Sequence, residues 1–549
     1  YEHTPRLMAT RLLHSLARGT SAGALSSGRR GALSSSSNFP ITAAQACTAA
    51  GATSRPLDGR RNMSSRILYR STRGGQEGLQ FADAVLQGLG TDKGLLVPQT
   101  IPKFEPGEVE SWRNQPYEAV AEGVMRKFLS EEDVPTADLR DIIKRSYATF
   151  GDKRVTPVEP LIDGLHVLEL YHGPTFAFKD VALQFLGNLF EYLLQQRNGM
   201  TLTVVGATSG DTGSSAIQGL RGKKGVECFI MYPDGRTSPI QERQMITVLD
   251  ANIHNIAIGG DFDDCQRIVK ELFGDAPFRE AHSLAAVNSI NWARILAQTV
   301  YYVYAYLQVT SPAAAGAAAP KVSFSVPTGN FGDILAGWYA KEMGLPVDQL
   351  VVATNENDIL HRFWTKGDYS RSSVRQTLSP SMDIQISSNF ERFLFHMGGN
   401  DTASLAQLMS GFEAGAPLAP SADLLAACRS EMTSERVADD EVLATIADVH
   451  ARTGGFTLDP HSAIGVAAAK QYLAKTSSAS PMICLACAHW AKFAKAVGNA
   501  IGEEKLQQMP LPEPLASLHT MPTRVKKLPN TTDTVKSFIA ETVAERKRS

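Results

Sequence analysis

Cysteine is scarce, with six in 549 residues at irregular spacing. That excludes a disulfide framework and suits a reducing compartment. The closest pair, Cys484 and Cys487, lies in the apolar run Met482-Ile483-Cys484-Leu485-Ala486-Cys487, which reads as a strand. Residues three apart on a strand point to opposite faces, and no second CxxC accompanies this one, so core packing is expected rather than zinc binding or dithiol chemistry, and no metal. An excess of charge is also missing: 54 Lys+Arg against 56 Asp+Glu give a formal net charge of −2. No global field favours nucleic acid or an anionic membrane, so any basic site must be local. No apolar run approaches the roughly 20 residues that cross a bilayer, and the mean hydropathy of −0.13 agrees. A soluble protein without nucleic-acid or membrane partners is expected. Nor is there an internal repeat of solenoid period.

What is present is an ordinary globular composition, 43% hydrophobic and 20% charged, on a chain long enough for two to four lobes at roughly 100–200 residues each. Residues 1–62 stand apart, rich in Ala, Ser, Gly and Arg, with Glu2 and Asp58 the only acids. The segment Met8 to Leu16 can form a basic amphipathic turn of the mitochondrial transit-peptide kind. Equally, Met63 is a plausible start, which would make the extension translated leader and the protein cytoplasmic. From Met63 onward, apolar runs alternate with amphipathic segments in a βαβα rhythm that predicts parallel sheet covered by helices. Ser311–Pro320 reads as a low-complexity surface loop and Gly398–Pro420 as a variable connection.

Three strand-turn-helix units stand out. His166–Leu170 leads through Gly173-Pro174 into a helix over Asp180–Gln196 whose apolar positions recur every three to four residues, predicting one buried face. Leu202–Val205 leads through Gly206–Gly213 into Ser214–Leu220. Val322–Val326 leads through Pro327–Asp333 into Ile334–Met343. All three loops fall at carboxyl ends of strands, where open α/β sheets bind ligands.

The loops carry the chemistry. Gly329, Asn330, Phe331, Gly332 and Asp333 place backbone N–H groups at a helix start, an anion cradle into which glycine allows close approach; a plain tight turn is the competing interpretation. The segment is neither a dinucleotide fingerprint nor a nucleoside-triphosphate loop. Thr208, Ser209, Gly210, Asp211, Thr212 and Gly213 form a second cradle dense in hydroxyls, or else a helix start capped by Ser209, Asp211 or Thr212. Lys179 is the odd residue in Tyr171–Asp180, a lysine beside phenylalanine at the mouth of an apolar helix. Burial would release its neutral amine as a nucleophile and proton carrier, whereas snorkelling would leave it in water.

HGPTFAFKDVALQF, GATSGDTGSSAI and PTGNFGDILAGWYA, in this order and spacing, resemble the threonine synthases, the fungal type most. The likeness runs from about Ser65 to beyond Lys527 and includes Leu79–Ala84, Asp92–Pro98, Val287–Ile295, Thr354–Asp358 and Leu458–His461. It implies the fold-type II, tryptophan-synthase-β-like α/β fold of pyridoxal-phosphate enzymes, with an amino-terminal domain over 63–150 and two α/β lobes over 151–549. It further implies pyridoxal 5'-phosphate as cofactor, Lys179 as the Schiff-base and catalytic lysine, and Gly329, Asn330, Phe331 and Asp333 as binders of the cofactor phosphate. Cys487 falls where the family has a hydroxyl partner of the ring nitrogen. There the family reads Thr-Ala-His-Pro-Ala-Lys-Phe and this chain Cys487-Ala488-His489-Trp490-Ala491-Lys492-Phe493; a thiol is the weaker hydrogen-bonding partner.

The implied reaction takes O-phospho-L-homoserine and water to L-threonine and phosphate, the last step of threonine biosynthesis. Lys179 would move protons at Cα, Cβ and Cγ, phosphate would leave from Cγ and water would add at Cβ. Thr208, Ser209, Asp211 and Thr212 are candidates for substrate anions, and so are Asn288, Ser289, Asn291 and Arg294, with Arg294 either a phosphate fork or a surface helix residue. Two other outcomes share the scaffold: a phospho-lyase releasing 2-oxobutyrate and ammonia, and a non-catalytic interaction protein.

Overall fold

A computed structural model describes residues 66–197, 200–314 and 316–548. The extension over 1–62, with its Met8–Leu16 segment, lies outside them. The strands are β1 (Tyr69–Ser71), β2 (Leu96–Pro98), β3 (Val158–Pro160), β4 (His166–Glu169), β5 (Leu202–Ala207), β6 (Val226–Pro233), β7 (Ile253–Ile258), β8 (Leu284–Ala285), β9 (Val322–Pro327), β10 (Val347–Thr354), β11 (Met432–Arg436), β12 (Met482–Ala486) and β13 (Lys526–Leu528). They form an antiparallel pair β1-β2 and two larger sheets.

The six-stranded sheet has the order β11-β10-β9-β12-β4-β3, parallel except for the antiparallel edge strand β3. The five-stranded sheet, β13-β7-β6-β5-β8, is parallel throughout. Each sheet is thus the centre of one α/β lobe. Strands buried on both faces read as near-continuous apolar runs, and β9 is an instance: all six residues are buried, with Ser325 donating its hydroxyl to the Gly465 carbonyl. Because β9, β12 and β4 are neighbours, the loops leaving their carboxyl ends lie side by side.

Two helices differ from a simple amphipathic pattern. The helix Lys179–Gln195 was expected to bury one face, yet every residue from Lys179 to Phe190 is buried. The helix Trp292–Val309 is buried without interruption from Trp292 to Leu307, as befits a helix with neighbours all round. The segment Gly398–Pro420 also departs from expectation, since it holds the helix Thr402–Glu413. Asp401 caps it, accepting from the N–H groups of Ala403 and Ser404, and that cap outweighs the loop-like composition.

The lobes meet where the Lys179–Gln195 helix crosses the helix Asp211–Leu220. A Cβ on Gly187 would sit 1.9 Å from the Gly219 carbonyl oxygen, and one on Gly219 would sit 2.4 Å from the Leu183 oxygen. Both obstacles are backbone, so only glycine lets the helices touch. Gly187→Ala should therefore lower unfolding free energy by about 3 kcal/mol, read as a shifted denaturation midpoint. An unchanged midpoint would mean that the helices separate freely.

Candidate active site

Lys179 opens its helix, where the positive helix end and burial both oppose an ammonium ion. The loop before it is pinned from two sides. Asp180 accepts from the Thr175 N–H and hydroxyl at 2.7 Å each. Phe176, with φ of 57°, and Phe178 bond to the segment after β12, His489 N–H to Phe176 O at 3.1 Å and Phe178 N–H to Cys487 O at 2.7 Å. The Lys179 Nζ therefore sits in a fixed place, 3.4 Å from the Ser381 hydroxyl and 3.8 Å from Asp211 Oδ2. Burial lowers its pKa from the usual lysine value, and nearby Lys492 and Arg294 act in the same direction, against Asp211. The snorkelling alternative fails, since Lys179 is only 8% exposed.

The Gly329 turn is reached through the same serine. A Cβ on Gly329 would lie 3.0 Å from the Ser381 carbonyl oxygen, so Ser381 packs against the turn while its hydroxyl meets Lys179. Among the described residues, no acceptor meets the N–H groups of Gly329, Asn330, Phe331, Gly332 or Asp333. The carbonyls, by contrast, are held from behind: Ser387 donates to Gly329 O at 2.6 Å, and Asn389 to Asn330 O from both its N–H and its side chain at 3.0 Å. A row of free donors on a braced turn fits a phosphate.

Two side chains of this turn face elsewhere than expected. Phe331, held at φ 62°, is buried among Trp364, Phe390 and Phe393. Only its backbone can serve an anion. The Asp333 carboxylate is buried and accepts from the hydroxyls of Tyr301 at 2.5 Å and Tyr302 at 2.8 Å; facing a phosphate it would repel. Burial raises its pKa to about 6 despite the two donors.

In the second loop the cap is Thr208, whose hydroxyl accepts from the N–H groups of Gly210 and Gly213 at 2.9 Å each. The helix starts at Asp211 rather than Ser214. Ser209 is exposed and Thr212 half-buried, so their hydroxyls are available to a ligand. The Asp211 carboxylate is not. It accepts from Gln241 Nε2 and Lys492 Nζ, both at 2.7 Å, and although burial alone would raise its pKa, Lys492 and then Lys179 hold it well below the carboxylate range. Its expected contact with a substrate anion gives way to a contact with two lysines.

Of the 288–294 segment, Asn291 is structural: it caps the Trp292–Val309 helix through the Ala293 N–H and donates to Val85 O. Asn288 is exposed, its side-chain oxygen accepting from the Ile290 N–H. Ser289 bonds to Ser388, which donates to the Asn330 side chain, so it borders the cradle. Arg294 is buried, not on the surface; its Nε and Nη1 lack partners among the described residues, and burial lowers its pKa to about 10. A buried, uncompensated guanidinium within electrostatic reach of Lys179 is built for a bidentate anion.

Cys487 follows β12 and is buried, its thiol pushed well above the usual range by burial and then by Asp459 and Asp333, so it stays protonated. Lys492, Ser381 and His461 escaped assignment from sequence. The His461 Nε2 accepts from the Ser381 N–H at 3.2 Å, which leaves the proton on Nδ1 to be donated to Asp459 at 2.6 Å. Their local signals were only a lysine in an apolar segment and an Asp-Pro-His helix start. A further missed hub is Arg392, fully buried, which donates to Leu96 O, Ile290 O and the Asn389 side chain and thereby ties β2 to the braced turn.

Three family models match this chain: "Threonine synthase N terminus" over 68–147, "Pyridoxal-phosphate dependent enzyme" over 155–488, and "Threonine synthase, C-terminal" over 462–539. The threonine synthase of Schizosaccharomyces pombe is 48% identical over 468 residues, covering 80% of this chain and 90% of that protein. That of Saccharomyces cerevisiae is 46% identical over 511 residues, covering 87% and 99%. The crystal structure of pyridoxal-phosphate-bound threonine synthase from Brucella melitensis superposes with a TM-score of 0.82 at 45% identity, covering 87% of this chain and 99% of that one.

Asp333 yields a pH-dependent prediction. Its folded pKa of about 6 lies above the usual carboxylate value, so its contribution to stability is full below about pH 4 and is lost as pH rises through about 6. Asp333→Asn keeps an acceptor for both tyrosines and removes the charge. Relative to the native chain it should gain up to about 3 kcal/mol between pH 4 and 7, measured by denaturant unfolding without cofactor. A pH-independent difference would contradict this.

Proposed function

The chain belongs to the threonine synthase family, and from that premise we propose how its cleft divides the work of converting O-phospho-L-homoserine and water into L-threonine and phosphate. The observation that carries the reading is the buried Lys179 nitrogen, 3.4 Å from the serine that packs against the donor-lined Gly329 turn. When bound, pyridoxal 5'-phosphate supplies the electron sink that makes protons next to the substrate amine removable. Lys179 would hold its aldehyde covalently, and the N–H groups from Gly329 to Asp333, Asn330 and Phe331 included, would hold its phosphate. The protonated thiol of Cys487 would be the group offered to the ring nitrogen, a weaker hydrogen-bonding partner than a hydroxyl.

As a free amine of lowered pKa, Lys179 would be the base that moves protons at Cα, Cβ and Cγ. Arg294, with Ser289 and Asn288 as further polar groups of the same segment, takes the substrate phosphate and supports its departure from Cγ. The hydroxyls of Ser209 and Thr212, on the loop shaped by Thr208, take the substrate carboxylate at the start of the Asp211–Leu220 helix. The family models support a division at the 63–150 domain and the 151–549 lobes.

Lys179→Ala should abolish turnover and the covalently held cofactor; normal threonine formation by it would refute the assignment. Product analysis with O-phosphohomoserine should give threonine and phosphate, and 2-oxobutyrate with ammonia would mark a phospho-lyase instead. Arg294→Met should reduce kcat/KM about a hundredfold or more, corresponding to about 3 kcal/mol of lost phosphate binding, with cofactor retention unchanged. An unaltered kcat/KM would remove Arg294 from the site.

A further inference from the structure

Lys492 is the most deeply buried cation in the cleft, its side chain 0% exposed, and the reaction as described gives it nothing to do. It lies after β12 of one sheet, and its Nζ reaches 2.7 Å to Asp211 Oδ1, at the start of the helix that follows β5 of the other. It also donates to Thr175 O at 2.7 Å, but that carbonyl has a second donor in Gln244 Nε2 at 3.0 Å. Lys492 is therefore not needed to satisfy Thr175.

The two oxygens of Asp211 are used unequally. Oδ1 takes Lys492 and Gln241 at hydrogen-bonding distance, while Oδ2 stands 3.8 Å from the Lys179 Nζ, beyond a hydrogen bond. We propose that Lys492 is a positioning residue for Lys179: by binding Asp211 tightly it divides the carboxylate's charge and keeps Lys179 available as a free amine. This rests on the reading of Lys179 given above. A buried carboxylate with one cationic neighbour closes on it and stabilises the ammonium. With two, the tighter partner takes the larger share, and its own charge repels the looser one.

The other groups facing Lys179 do not replace this arrangement. Arg294 comes from the Trp292–Val309 helix, the protonated Cys487 from the loop after β12, and the uncharged Ser381 from the turn at Pro380–Met382. Asp180, adjacent in sequence, is turned toward Thr175. Asp211 is thus the carboxylate that decides the balance, and Lys492 decides how much of it Lys179 feels.

The test measures the amine itself. The full chain is incubated with pyridoxal phosphate and cyanoborohydride between about pH 6 and 10, bracketing ordinary and lowered lysine values. The Lys179 amine adds to the aldehyde, water leaves, and the reductant delivers hydride to the carbon, fixing a secondary amine that is quantified on the Lys179 peptide by mass spectrometry. Lys492→Met should move the labelling midpoint up by about one pH unit or more, roughly tenfold slower labelling on the acid side. Lys492→Arg should restore it. Asp211→Asn should move it down. A strut would change the melting temperature of both variants and displace both midpoints in one direction, so opposite shifts are the signature.

A Lys492→Met midpoint equal to the native one, or shifts of the same sign, overturns the proposal. Should Lys492→Met fail to fold, an Asp211→Asn midpoint that does not fall overturns it equally. Native protein labelled elsewhere than Lys179 would instead overturn the reading of Lys179 on which the proposal stands.

Discussion

One carboxylate, that of Asp211, joins the two lobes at the point where chemistry is to occur. It starts a helix on the five-stranded sheet, and its partners Lys179 and Lys492 follow β4 and β12 of the six-stranded sheet. A buried carboxylate is unfavourable unless it is met at close range, and Lys492 meets Asp211 at 2.7 Å while the Lys179 amine stands off at 3.8 Å. The glycine contact between the Lys179 and Asp211 helices permits the alignment that brings these groups together.

The same cluster sets the sign of the cleft. Lys492 and Arg294 are buried there with the Lys179 amine, while Asp211 is paired with Lys492, Asp333 bonds to its tyrosines through one oxygen and Asp180 is turned to Thr175. A formal net charge near zero for the whole chain thus coexists with cationic groups concentrated locally in the cleft. Phosphate dianions entering such a site meet fixed donors that need no reorganisation. The unpartnered Nε and Nη1 of Arg294 are the stored part of that arrangement, a desolvation penalty carried by the fold and offset when an anion binds.

Much of this was legible in the sequence, for a definite reason. The α/β class, the strands at His166, Leu202 and Val322, and the loops that follow them depend on local periodicity and turn chemistry, and they stand within a few residues of where they were expected. Membership of the family was legible because three long motifs occur in order. What was not legible is which way a polar side chain in those loops points. Asp211, Asn291 and Asp333 all read as ligands for an anion or cofactor, and their carboxylates and amide turn instead to lysines, a helix cap and buried tyrosines. Those partners come from distant segments, so no local pattern announces them. Lys492 was missed by the same logic in reverse, since a lone lysine in an apolar stretch usually snorkels.

Phe331 shows how the fold holds the site in an unfavourable shape. A bulky residue with φ of 62° is strained by about 1–3 kcal/mol, and no glycine relieves it there. The strain is required, because the left-handed residue at the helix start turns successive N–H groups outward as a nest rather than inward as a cap. It persists because the side chain is one of a cluster with Trp364, Phe390 and Phe393 that would have to come apart if the backbone relaxed. The neighbouring residues of that cluster's helix, Asn389 and Arg392, carry the brace onward to Asn330 and to β2. Aromatic packing on one side and a buried guanidinium on the other thus hold the turn rigid from behind, which is why its open face can stay lined with donors that no other described residue meets.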